Sequence, residues 1–286
     1  MKKLFKKSGK LKLLSLVLFL TCVSNEVLSV GLTKGSMLLA HCSESAKRFL
    51  FDQLSDNDTT LTLSNFSIND SCGSDIVDYL RSNHKPILTL VMSNNTLAQG
   101  TANAFIQWFS DDSSPLLTLD LSNNNFSPSS TLKLSKSIGK SSVLSSFVYK
   151  GNDLGVLTPS DLKLFMRGFS HLKSLDFSYN NIESNMVEGL VDSIDKMSSL
   201  TNLNLSYNPL ADSGLKLLSN ALPAMAHLST LHLDFVKSGT VGAEALINAL
   251  ENRVNPMTLS FKRNYYSDAA FKQFQALNDG FIDIML

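Results

Sequence analysis

The sequence predicts an α/β solenoid of about eight repeats, with a parallel β-sheet on the concave side and helices on the convex side. Three observations predict it. LKSLDFSYNNI (172–182) and LTNLNLSYNPL (200–210) begin 28 residues apart and share their leucines and a Ser-Tyr-Asn triplet. The same register runs through most of the chain, with its Asn position at Phe66, Asn95, Asn124, Asn152, Asn180, Asn208, Val236 and Asn264. The segments between the strands have helical periodicity. Self-similarity at a fixed period decides architecture before any local propensity does.

Each unit supplies two apolar residues in alternation. They are Leu61 and Leu63, Leu90 and Met92, Leu119 and Leu121, Phe147 and Tyr149, Leu175 and Phe177, Leu203 and Leu205, Leu231 and Leu233, and Leu259 and Phe261. Period-two alternation marks a short strand with those side chains inward. An Asn amide both donates and accepts, so Asn95, Asn124, Asn152, Asn180, Asn208 and Asn264 form a candidate ladder that satisfies backbone groups of the turns. Val236 removes one rung, which predicts altered turn geometry at that point.

The template LxxLxLxxNxL resembles the leucine-rich repeat family, and units of 28–29 residues resemble its ribonuclease-inhibitor-like branch. The resemblance covers about residues 58–276. It implies a non-enzymatic protein-recognition scaffold that binds on its concave face, and exported bacterial members of the family often engage host proteins.

The helices follow from local chemistry. TPSDLKLFMRGF (158–169) opens with a Thr cap, a Pro in the first turn and an Asp three residues on. ADSGLKLLSNALPAMA (211–226) and GTVGAEALINALENR (239–253) carry apolar residues at helical spacing. GSMLLAHCSESAKRFLFDQL (35–54) has the same periodicity without a preceding LxxLxL, so residues 30–57 are expected to form an N-terminal capping helix. Solenoid ends need such atypical units. The array is assigned to 58–276, and 277–286, containing FIDIML, to a C-terminal cap or last edge strand.

Six lysines lie within the first twelve residues, followed by the apolar run LLSLVLFLTCV (13–23) and small residues. This is the pattern of a signal peptide ending near residue 24 or 29. A membrane span needs a run nearly twice as long. Export to a periplasm, the cell surface or the extracellular space is the expectation, with membrane attachment only if residues 1–30 are retained. Without those lysines the remainder holds 19 basic against 25 acidic residues, a balance that argues against a nucleic-acid partner.

Little suggests catalysis or cofactors. No nucleophile motif, phosphate loop or zinc spacing is present. His41, His84, His171, His227 and His232 are dispersed. His171 and His227 share a register two repeats apart, roughly 10 Å, too far for one metal. After cleavage two cysteines remain, Cys42 and Cys72, 30 residues apart. They are candidates for one disulfide of an exported protein, the alternative being two buried thiols.

Register also writes out the binding surface. The column between the inward strand residues holds Asp120, Asp176, Asn204 and His232. The column before the Asn holds Tyr179, Tyr207 and Phe235 in succession, with Asp234 adjoining. Aromatics ringed by polar groups make binding hot spots; the alternative is a local packing ladder. The expectation is a monomeric scaffold binding a protein through these eight residues. The rivals are a membrane-anchored structural or adhesion protein and an enzyme accessory subunit.

Overall fold

The computed structural model describes residues 39–54, 58–111, 113–193 and 197–286. The leader, Cys22 and the start of the expected capping segment lie outside the described residues. The unit Leu38–Leu286 is laid out as successive strand–helix coils.

Nine strands form one parallel sheet in strictly sequential order. They are β1 (Thr60–Thr62), β2 (Thr89–Val91), β3 (Thr118–Asp120), β4 (Ser146–Val148), β5 (Ser174–Asp176), β6 (Asn202–Asn204), β7 (Thr230–His232), β8 (Met257–Ser260) and β9 (Ile282–Met285). Leu61, Leu90, Leu119, Phe147, Leu175, Leu203, Leu231, Leu259 and Ile284 stand side by side across the sheet. All nine are buried. The alternation in sequence therefore sets both the inward face and the pairing register, because a one-residue slip would turn every leucine outward.

Helices close each coil behind the sheet: α1 (Glu44–Gln53), α2 (Asp70–Ser82), α3 (Gln99–Ser110), α4 (Pro128–Ile138), α5 (Pro159–Met166), α6 (Val187–Val191), α7 (Ala211–Ala221), α8 (Thr240–Glu251) and α9 (Asp268–Leu277). The Thr158 side chain accepts from the Asp161 N–H as the N-cap of α5. One cap crosses between coils. Asp70, in the first turn of α2, accepts from the N–H groups of Ala98, Gly100 and Thr101 at the start of α3. Burial works against that carboxylate, but the Thr101, Gly100 and Ala98 amides outweigh it and hold the pKa below the ordinary Asp value. Between the layers, Phe147, Tyr149, Phe165, Phe169 and Phe177 pack at centroid distances of 4.8–5.9 Å. The Tyr149 hydroxyl meets Thr131 Oγ1 at 2.8 Å.

The Asn ladder is continuous where Asn is present. Asn180 Oδ1 accepts from Asn152 N and Leu154 N, while its Nδ2 donates to Tyr149 O and Ser178 O. Asn208 repeats this toward Asn180, Ile182 and Phe177. Each rung serves the coil before it, which explains Phe66. The first coil has no predecessor to satisfy, and Phe66 instead packs on Phe49 of α1, with ring centroids 4.2 Å apart and planes tilted by 38°.

Val236 has no amide to offer Asn208, and the chain adapts locally. Leu210 N–H donates to Asn208 O, Ala211 N–H donates to Val236 O, and Ala211 takes φ 54°. Other coils place their second left-handed residue directly after the Asn position, at Ser67, Asp153, Asn181 and Lys237. Pro209 cannot do so. The sheet registers through β6, β7 and β8 are unbroken.

The capping helix is shorter than periodicity predicts. Residues 39–42 form a turn, and α1 starts only after Ser43, whose side chain accepts from Ala46 N. That turn is tied to α2. His41 N and Nδ1 reach Asp75 at 2.8 and 3.1 Å, and the Sγ atoms of Cys42 and Cys72 lie 2.08 Å apart. At the other end, Phe261 packs on Tyr266 and Phe274, and β9 pairs with β8.

Candidate recognition edge

Past each strand the chain must turn sharply to send the Asn inward, and the residue before the Asn makes that turn in left-handed backbone. Asn65, Asn94, Asn123, Gly151, Tyr179, Tyr207, Phe235 and Arg263 all have φ between 52° and 66°. Asn and Gly adopt this region readily; an aromatic residue does so at a cost of about 1 kcal/mol. At Gly151 a β-carbon would stand 1.9 Å from Asn123 Oδ1, so a larger residue there would have to displace the Asn123 side chain. Three successive aromatics, at Tyr179, Tyr207 and Phe235, therefore occupy a position that local preference assigns to other residues.

Backbone pairing spaces them. Tyr179 N donates to Ser206 O at 3.0 Å, Tyr207 N to Asp234 O at 2.8 Å and Phe235 N to Lys262 O at 2.9 Å. The parallel ladder thus continues past the strands and holds these residues one coil spacing apart, about 4.8 Å. That is a stacking distance. The Tyr179 and Tyr207 rings lie 4.1 Å apart at 10°, and Tyr207 and Phe235 lie 5.4 Å apart at 28°. Tyr179 remains 45% exposed, and Tyr207 and Phe235 are half-buried. The aromatics therefore both stack on each other and face solvent.

Two cations that the sequence reading did not single out complete the edge. Lys150 Nζ sits 4.6 Å from the centre of the Tyr179 ring. Arg263, two coils beyond Tyr207, reaches across the intervening coil to place Nη1 3.4 Å from the Tyr207 hydroxyl. Desolvation and the Tyr207 hydroxyl raise the Tyr179 phenol above its ordinary range, while Arg263 draws it the other way. A signal for each existed in the register. Lys150 breaks the serine column two before the Asn (Ser64, Ser93, Ser122, Lys150, Ser178, Ser206, Asp234, Lys262), and Arg263 follows Phe235 in the column directly before the Asn.

The polar members of the expected site serve the turns first. Asp120 Oδ1 accepts from Ser122 N and Oγ, Asp176 Oδ1 from Ser178 N, and Asn204 Oδ1 from Ser206 N. Asn204 Nδ2 donates to Asp176 Oδ2 at 2.9 Å. Asp234 Oδ1 accepts from Ser260 Oγ and Lys262 N. Repeated Asx-type turns of this kind explain acceptors at these positions without any ligand. His232 stands at the end of β7 between Asn204 and Ser260. Asp120 lies two coils away from the aromatic stack. His171 is partly buried, which lowers its pKa. Among the described residues no group of His, Cys, Asp and Glu is placed to hold a metal ion, and no helix is long and apolar enough to cross a membrane.

A family model described as Leucine Rich repeat matches residues 170–188 and 196–219, the two units around Tyr179 and Tyr207. These two units match the leucine-rich repeat pattern, and the same register runs through the other coils. Solved structures similar to this chain include the leucine-rich repeat-containing protein LegL7 from Legionella pneumophila. That comparison gives a TM-score of 0.50 and 18% identity, over 85% of this chain and 86% of that one. An internalin from Listeria monocytogenes is similar at TM-score 0.45 and 17% identity, over 78% of this chain and 57% of the internalin. The chain therefore spans little more than half of that internalin's length. No curated protein matches the sequence.

Proposed function

We propose that this leucine-rich repeat protein is an exported, non-catalytic scaffold. It recognises a protein partner through the edge formed by Tyr179, Tyr207 and Phe235 and the adjoining concave face. The observation that carries this reading is the three-ring stack built on left-handed backbone, exposed at Tyr179 and half-buried at Tyr207 and Phe235. Three such residues together cost about 3 kcal/mol, and two stacked contacts return about 1–3 kcal/mol. The stack therefore adds little net stability, and backbone strain of this kind concentrates at functional positions.

The repeat length of 28–29 residues with a helix in each coil supports the ribonuclease-inhibitor-like branch. The lysine-rich leader with its apolar run supports export, as does the proximity of Cys42 and Cys72, which suits a disulfide in an oxidising compartment. The partner is a protein rather than a nucleic acid, given the acidic balance of the body.

The test is affinity capture with the purified protein beside a variant carrying Tyr179→Ala, Tyr207→Ala and Phe235→Ala. Loss of the captured partner, with circular dichroism unchanged, supports the edge. Retention of the partner moves the site elsewhere on the solenoid. Intact mass of the exported chain tests the leader: retention of residues 1–24 would count against cleavage.

A further inference from the structure

Lys150 and Arg263 approach the Tyr179–Tyr207 pair from opposite ends of the solenoid. Lys150 comes from the coil before Tyr179 and covers the ring, while Arg263 crosses from two coils beyond Tyr207 to its hydroxyl. Their Cα atoms belong to coils four apart, roughly 19 Å along the sheet, yet both charges are directed at two adjacent phenols. Neither forms an ion pair among the described residues, whereas Lys47, Arg81 and Lys163 do. The nearby carboxylates do not neutralise them. Asp176 is committed to Ser178 N and Asn204 Nδ2, and Asp234 to Ser260 Oγ and Lys262 N.

We infer that this cluster is an anion-recognition point, at which Lys150, Arg263 and the hydroxyls of Tyr179 and Tyr207 hold a carboxylate from an acidic segment of the protein partner. The inference rests on the reading of the aromatic edge as the recognition surface and names the chemistry that edge accepts. An ammonium, a guanidinium and phenolic O–H groups are all donors to an oxyanion, and hydrogen bonds with ionised partners are the stronger kind. The stacked rings hold the donors in place before binding, which lowers the ordering cost. Phe235, half-buried alongside, offers apolar contact to the neighbouring side chain of the same segment. A nucleic-acid phosphate backbone fits poorly, since the chain outside its first twelve residues holds 19 basic against 25 acidic groups.

The experiment selects short random peptides displayed on phage against the full protein, with counter-selection on a Tyr179→Phe, Tyr207→Phe, Arg263→Gln variant. Phenylalanine keeps the stack and removes only the hydroxyls. The expected result is enrichment of Asp and Glu. The best peptide should bind at least about tenfold weaker to the variant, and its Asp/Glu-to-Asn/Gln version about tenfold weaker to the native protein. Peptides without an acidic excess, or no enrichment at all, would overturn the proposal. So would a phosphoserine version that binds more than about tenfold tighter than the Glu peptide, since the ligand would then be a phosphate. The two readings fail differently. If the triple-alanine variant loses the partner while the phenylalanine variant keeps it, the edge stands and the anion point falls.

Discussion

The Tyr179 ring lies 4.1 Å from that of Tyr207, within 10° of parallel, although both residues sit in left-handed backbone at φ 57° and 59°. The two facts have one cause. The turn before each ladder Asn demands positive φ, and the backbone ladder sets consecutive turns one stacking distance apart. Aromatic side chains placed there in adjacent coils meet at stacking distance.

Replacing Tyr207 by Asn, the residue found at the same turn position in Asn94 and Asn123, relieves about 1 kcal/mol of backbone strain. It also removes two ring contacts worth about 1–3 kcal/mol. Unfolding in urea is expected to show a net change within about 1–2 kcal/mol. A loss above about 4 kcal/mol would make the stack a structural element in its own right.

The Asn ladder behaves differently because its amides are buried. Asn180→Ala strands the N–H groups of Asn152 and Leu154 and the Tyr149 carbonyl, so a cost of about 3–4 kcal/mol is expected. Val236→Ala, in the same column but without such bonds, is expected to lose only about 1–2 kcal/mol from truncation of a buried side chain. Paired urea titrations of the two variants check the contrast.

The ladder, the strand positions and the sheet register were legible from the sequence because each repeats a period-two or 28-residue pattern that physics reads in only one way. The aromatic column was legible for the same reason. Its conformation was not, since positive φ at Tyr179 contradicts local preference and follows only from the turn that all coils share. Lys150 and Arg263 occupy definite register positions, but their contacts with Tyr179 and Tyr207 cross coil boundaries, which no single-repeat pattern records. The start of α1 was misplaced because apolar spacing continues through residues 39–42, where the ties from His41 and Cys42 to α2 impose a turn instead.

Acid sensitivity should trace partly to Asp70. Its folded pKa lies below the ordinary value, so its contribution is present above roughly pH 3.9 and is lost as pH falls through the folded pKa. Asp70→Ala is expected to cost about 1–2 kcal/mol at neutral pH, in the range of a lost helix cap. The gap to the native protein should narrow below about pH 4. Unfolding at neutral and acid pH measures it, and a gap that widens on acidification would contradict the assignment.

Joining Cys42 to Cys72 closes a loop of roughly 30 residues, for which chain entropy gives about 3.6 kcal/mol. Reduction of the protein is expected to lower its unfolding midpoint and to speed proteolysis ahead of Glu44. Unchanged stability in reductant, with two free thiols by labelling, would favour the buried-thiol alternative.

The most direct measurement is the Kd of the captured partner for native protein and for Tyr207→Ala, at the centre of the stack. A recognition edge predicts at least about thirtyfold weaker binding, the scale of an interface hot spot, with the far-ultraviolet circular dichroism unchanged. An equal Kd for the two proteins would contradict the account and place recognition elsewhere on the solenoid.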